Sequence, residues 1–325
     1  MTRSAFARVC SAGSIRAARS SRRLSVPSLI LLAACSAGRE SASPTLSQTA
    51  FNADSALSYV RQQLAFGPRI PGTAPARATG DWIVARLRLT ADTVLEQRWT
   101  ETTTKGQQLA LRNIFARFRP QAADRVLYLT HWDTRPVANE ESDPAKKKLP
   151  IPGANDGASG VALLLAVADV LKKTPPGVGV DLLFVDGEDY GSWEAPPYTD
   201  VLLGSTYFAA HLPAPGYKPL YGVLWDMIGD ADLQIYQEQN SAQAAPEVVQ
   251  RVWDQARQFG YEKYLIPEAK LAITDDHLPL IRAGLRVIDV IDIDYDCHHK
   301  LCDTIDKVSA KSLKIVGDVA VALVR

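Results

Sequence analysis

The chain has 325 residues, 46% of them hydrophobic and 22% charged, with 36 Lys and Arg against 36 Asp and Glu. That length buries a full core, and the composition excludes a disordered, collagen-like or coiled-coil protein. The six arginines among residues 1–34 stand without an acid, so residues 35–325 carry 30 bases and 36 acids, and this net charge of −6 argues against a nucleic-acid partner.

Arg3, Arg8, Arg16, Arg19, Arg22 and Arg23 precede a short apolar run, Leu24–Ala34, broken only by Ser25, Pro27 and Ser28. A charged stretch followed by a short apolar one reads as an export signal over residues 1–34, too short to span a bilayer at ~20 residues. It ends in Leu32-Ala33-Ala34-Cys35, which resembles the lipobox of bacterial lipoproteins, where the cysteine is lipidated and becomes the first residue. The alternative is an ordinary cleavage site with an incidental cysteine, and Ser21-Arg22-Arg23 hints at twin-arginine export. Residues 35–50, Ser/Ala-rich and polar, read as a lipidated flexible tether. The expectation is an exported bacterial cell-envelope lipoprotein facing the periplasm, with Ser36 leaning toward the outer membrane.

Beyond the tether, helical apolar spacing covers 54–65 and 75–88, separated by the Gly/Pro-rich loop Phe66–Thr73. Strands are expected over 92–100, 110–118, 126–130, 180–186, 221–228 and 286–294, and helices over 157–173, 246–259 and 308–324. Near-continuous apolar strands alternating with helices predict one α/β domain, 51–325, with a mostly parallel central sheet and helices on both faces. In such sheets ligands gather at the carboxyl ends of the strands. Polar residues stand at those places: His131 and Asp133 after 126–130, Glu188 and Asp189 after 180–186, Asp226 within 221–228, and His298 and His299 after 286–294.

Each motif also has a plainer reading. His131 and Asp133 face one side of an extended segment, where the carboxylate could fix the imidazole tautomer for a metal, or they are a solvated strand end. Asp156, in a Gly-rich turn before a helix, is a metal ligand or a helix cap. Glu188 and Asp189 repel one another unless a cation or proton intervenes, so one could bind a metal while the other moves protons; a solvated loop is the alternative. Asp226 is an acid in an apolar stretch, either functional or structural. Asp275, Asp276 and His277 form an acidic cluster or a helix cap. Oxygen and imidazole donors without spare thiolates fit a catalytic Zn²⁺. A structural zinc site on Cys297 and Cys302 lacks a second ligand pair, and whether those thiols bond cannot be decided from spacing. Trp193 and Trp132 either wall a substrate pocket or pack in the core.

The order of FGPRIPGT, HWDTRP, GANDGASG, FVDGEDYG, LWDMIGD, DDHLPL and HKLCDT resembles the family of zinc aminopeptidases and glutaminyl cyclases that share one α/β fold. The resemblance covers residues 51–325. It implies metal ligation by Asp156, Asp189 and His299, proton shuttling by Glu188, and a second zinc on His131 and Asp226 if the chain is a two-zinc peptidase. In a cyclase with one zinc per chain, Asp226 joins a hydrogen-bond network with Asp275. Asp275 stands where the simple aminopeptidases tend to have Ser, which tilts the expectation toward a glutaminyl-peptide cyclotransferase acting on peptide or protein N-termini. Two departures stand out: Glu-Asp replaces the usual Glu-Glu pair, and His298 occupies the place of a Trp in the animal cyclases. Both histidines therefore remain ligand candidates, Trp193 becomes the candidate substrate wall, and the oligomeric state is left open.

Overall fold

Residues 49–325 are described in a computed structural model. The signal segment 1–34, Cys35 and the tether up to residue 48 lie outside the described residues.

Helix α1 (Ala53–Leu64) begins where the Asn52 side chain accepts the Ser55 N–H, and α2 (Ala74–Arg88) where Thr73 caps Ala76 and Pro75 sits in the first turn. Asn and Thr satisfy amides that the first helical turn leaves unpaired, and Pro loses nothing there. A hairpin follows, β1 (Thr93–Thr102) and β2 (Gln108–Phe118), then β3 (Arg125–His131), α3 (Ala158–Lys173) and β4 (Gly179–Val185). Next come α4 (Leu203–Ala210), β5 (Tyr221–Asp226), β6 (Ile235–Gln237), α5 (Gln239–Ala244) and α6 (Pro246–Gln258). The chain closes with β7 (Leu265–Ala269), α7 (His277–Arg282), β8 (Val287–Ile291) and α8 (Ala310–Ala322).

The main sheet runs β1-β2-β4-β3-β5-β8. Its four strands β4, β3, β5 and β8 are mutually parallel, and the β1–β2 hairpin adds antiparallel to β4. The structure is thus the expected single mixed α/β domain with a mostly parallel sheet. Every residue of β3, β4 and β5 is buried, as strands covered on both faces must be. Alternate residues feed different cores: Val126 and Tyr128 join the large one with α1, α2, α3, α6 and α8, while Leu127 and Leu129 join the smaller one with Phe208 of α4 and Leu280 of α7. Helix α3 buries 13 of its 16 residues, so it is the central helix of the larger core. Cys297 and Cys302 are joined in a disulfide, Cα–Cα 5.4 Å, which leaves neither thiol free to ligate.

Candidate metal centre

The parallel strands end on one rim, and the expected residues meet there. His131 closes β3, Asp226 closes β5, Glu188 and Asp189 follow β4, and His299 lies on the loop after β8. His131 Nε2 is 3.1 Å from Asp156 Oδ1 and 3.2 Å from Asp226 Oδ1. His299 Nε2 lies 3.7 Å from Asp156 Oδ2 and 3.4 Å from Asp189 Oδ1. Asp156 therefore stands between two donor sets, one with His131 and Asp226, the other with the histidine pair.

Several of the plainer readings fall away. The cap residue of α3 is Gly157, without a side-chain cap bond, so Asp156 caps nothing. Asp276 likewise makes no cap bond to α7; it accepts the Ser205 hydroxyl. Trp132 is a core residue whose indole N–H bonds the Arg112 carbonyl, whereas Trp193 lines the cavity. His299, in the left-handed region at φ 53°, faces both Asp156 and Asp189, and the His298 ring lies tilted against it, 3.7 Å between centroids.

Supporting residues hold these groups in place. Asp133 accepts the main-chain N–H of Glu188 and of Asp189, each at 3.1 Å, and its Oδ1 lies 3.5 Å from His131 Nδ1. Asp303 accepts the N–H of Asn155 at 2.8 Å and of Asp156 at 3.2 Å, and Tyr295 donates its hydroxyl to the same carboxylate. Glycine is required at two places: a Cβ at Gly157 would sit 2.6 Å from His131 Nε2, and one at Gly160 would sit 2.1 Å from Thr130 Oγ1.

Sequence reasoning missed two buried arginines. Arg135 donates to Asp189 Oδ1 at 2.5 Å, an atom that also accepts the Trp193 indole N–H at 3.1 Å. Arg69, fully buried, donates to the carbonyls of Trp132, Pro152 and Gly153 and so ties together the loops bearing Asp133 and Asp156. The available signal was an Arg inside each of two Gly/Pro/Asp-rich motifs, FGPRIPGT and HWDTRP, where a solvated role also fits.

The cavity over the rim measures about 230 Å³ and is lined by Asp156, Glu188, Asp226, Asp275 and His299, with Trp193, Tyr198 and Ile273 as its apolar wall. Burial, then repulsion from Asp189, pushes the Glu188 carboxyl well above its ordinary range. Burial, then Asp226 and Asp276, does the same to Asp275. Below Asp275, the buried His277 and Asp289 complete a third close-set group. The donor chemistry fits zinc: the Oδ2 atoms of Asp156 and Asp189 are buried without a hydrogen-bond partner, and Asp156 Oδ2 lies 3.7 Å from His299 Nε2.

A family model described as peptidase family M28 matches residues 113–324. A Zn-dependent exopeptidase from Parabacteroides distasonis is 37% identical with TM-score 0.81, over 85% of this chain and 98% of that one. A glutaminyl cyclase from Porphyromonas gingivalis is 39% identical with TM-score 0.80, over 84% and 97%. Aminopeptidase YwaD of Bacillus subtilis is 23% identical over 218 residues, 61% of this chain and 40% of that protein. The chain thus spans less than half the length of the first curated relatives it matches.

Proposed function

Because the chain belongs to peptidase family M28, we propose that it is a zinc-dependent glutaminyl-peptide cyclotransferase, converting N-terminal glutamine to pyroglutamate with loss of ammonia. The observation that carries this reading is Asp275, a buried acid with one unpartnered oxygen, lining the same cavity as Glu188 and Asp226. Such a triad of acids suits moving one proton between two nitrogens of a single substrate.

Asp156, Asp189 and His299 would hold one Zn²⁺, with Asp189 kept in place by Arg135 and Trp193. Bound there, the ion supplies Lewis-acid polarisation of the side-chain amide carbonyl. Trp193, Tyr198 and Ile273 form the apolar wall against which the glutamine side chain folds back, so that its α-amine meets its own Cδ. The N–Cδ bond forms and the Cδ–Nε bond breaks. Glu188 takes the proton from the attacking amine and returns it to the leaving nitrogen, which departs as ammonia. Asp275, its carboxyl lifted by burial and then by Asp226 and Asp276, lines the cavity beside Glu188 as a second proton-holding group.

One observation favours a second reading, a two-zinc aminopeptidase: His131, Asp156 and Asp226 converge in a ligand set of their own. Zinc content separates the two, about one ion per chain for the cyclase and about two for the peptidase. The functional test follows ammonia release from Gln-peptides and amine release from aminoacyl anilides, with and without a chelator. Chelator-sensitive ammonia release supports the cyclase; free amino acid release replaces it with the peptidase. We also propose that residues 1–34 are an export signal and Cys35 the lipid-bearing residue of a periplasm-facing envelope protein. Loss of membrane partitioning in Cys35→Ala tests that.

A further inference from the structure

Four titratable side chains outside the zinc ligands gather around the start of α7, and all are buried: Asp275 just before that helix, His277 at its first position, Asp289 within β8, and Glu238 at the cap of α5. Most of their donor atoms are unsatisfied. Asp275 Oδ2, both carboxylate oxygens of Asp289 and both ring nitrogens of His277 are buried without a hydrogen-bond partner. One donor atom from each of Asp275, His277 and Asp289 lies within 4.8 Å of the other two. Orphaned oxygens of two neighbouring acids are costly unless a cation or a proton neutralises them.

Glu238 plays a different part. The main-chain N–H groups of Asn240, Ser241 and Ile273 hold its carboxylate, and its Oε2 stands 3.3 Å from His277 Nε2. A carboxylate beside that nitrogen keeps the proton on Nε2 and leaves a lone pair on Nδ1. Nδ1 is 3.9 Å from Asp289 Oδ2, too far for a hydrogen bond but within the span of two donors that share one ion at about 2.0–2.2 Å each.

We propose that Asp275, His277 and Asp289 form a further transition-metal site, oriented by Glu238, and that a Zn²⁺ ion bound there silences the catalytic cavity. One imidazole and two carboxylates suit Zn²⁺ and not Mg²⁺ or Ca²⁺, which take oxygen donors. A small closing rotation of the three side chains brings their donors to one ion. The 3.9 Å pair is wider than the 3.4 and 3.7 Å that separate His299 from Asp189 and Asp156, so this site fills after that centre. Asp275 lines the same cavity as Glu188, which gives the ion its way in. Once ligated, Asp275 no longer holds a proton beside Glu188. The inhibition rests on the cyclase reading; the binding does not. Nor is this the second zinc of a peptidase, since it shares no residue with the set of His131, Asp156 and Asp226.

The test titrates ZnCl₂ by calorimetry into protein that already holds its tightly bound zinc, and measures ammonia release from a Gln-peptide at each addition. The expectation is one further ion per chain, bound below about 0.1 mM, with turnover falling at least tenfold as it binds. MgCl₂ and CaCl₂ neither bind there nor inhibit. Asp289→Asn, which conserves volume, and His277→Gln each weaken the further ion at least tenfold, whereas His131→Ala retains it. Asp289→Asn removes a buried carboxylate that has no partner, so its unfolding midpoint without added zinc stays at or above that of the parent. Absence of a further ion overturns the proposal, as does an ion that survives both Asp289→Asn and His277→Gln. A further ion that leaves ammonia release unchanged overturns the inhibition. A protein that releases no ammonia before zinc is added overturns the cyclase reading instead, and the calorimetry of the variants still decides the site.

Discussion

Asp133 is fully buried, and its replacement should be among the most damaging in the molecule. Its two carboxylate oxygens each accept a buried main-chain N–H, from Glu188 and from Asp189, at 3.1 Å. A hydrogen bond to a charged group contributes about 1.5–3 kcal/mol, and alanine leaves both donors without a partner. Asp133→Ala should therefore cost about 3–6 kcal/mol, a large share of a total of about 5–15 kcal/mol for a folded domain. The same two residues carry the candidate proton shuttle and a candidate zinc ligand, so turnover and zinc retention should fall together. Asp133→Asn keeps one acceptor and should lie between the parent and the alanine variant. Urea unfolding, zinc analysis and turnover on the three proteins provide the check. A loss under about 1 kcal/mol with normal turnover in Asp133→Ala would refute the claim that this carboxylate holds the acid pair.

Glu188→Gln should retain its zinc and lose about 10²–10⁴ in kcat, the usual worth of a positioned general base; full turnover would remove Glu188 from the proton path. Asp189→Asn and His299→Ala should instead lose zinc, read by metal analysis of the purified variants. Burial, then repulsion from Asp230 and Asp294, lifts the Asp292 carboxyl to about 7 in the folded state against near 4 when unfolded, so the folded state holds the extra proton between those values. Its contribution is full below about pH 4 and is lost as pH rises through about 7; urea midpoints should decline over this window, and less steeply in Asp292→Asn. The Cys297→Ser/Cys302→Ser double variant should release zinc to a chelator faster than the parent, because the bond closes the loop that presents His299.

The strands and rim acids were legible because each buried apolar run ends in a side chain that has no reason to be apolar: His131, Glu188 and Asp226 stand where the run stops. Spacing alone also placed Asp133 beside His131. It did not show that the two oxygens of Asp133 would be taken by the Glu188 and Asp189 amides, since those bonds join β3 to β4 across 55 and 56 residues of chain. Helix α4 was invisible for a local reason: it starts after Leu202 in the left-handed region at φ 53°, with no side-chain cap to announce it. Strands β6 and β7, of three and five residues, and the six-residue α7 with Pro279 inside it, are too short to impose a period. The strand predicted over 286–294 stops at Ile291, because Asp292 turns away to accept the Gln234 amide.

Gly157 and Gly160 give the rim of the candidate site a tolerance set by atoms that are missing. With a Cβ at position 160 only 2.4 Å from the Trp225 carbonyl and at 157 only 2.7 Å from that of His131, the start of α3 rests directly on the backbone of two neighbouring strands. The elevation of Asp156 over the sheet is thus a backbone-to-backbone contact, as hard to compress as any in a protein. A single methyl at either glycine would act as a wedge under the helix, tilting the shared aspartate away from both histidines while every ligand remained chemically intact.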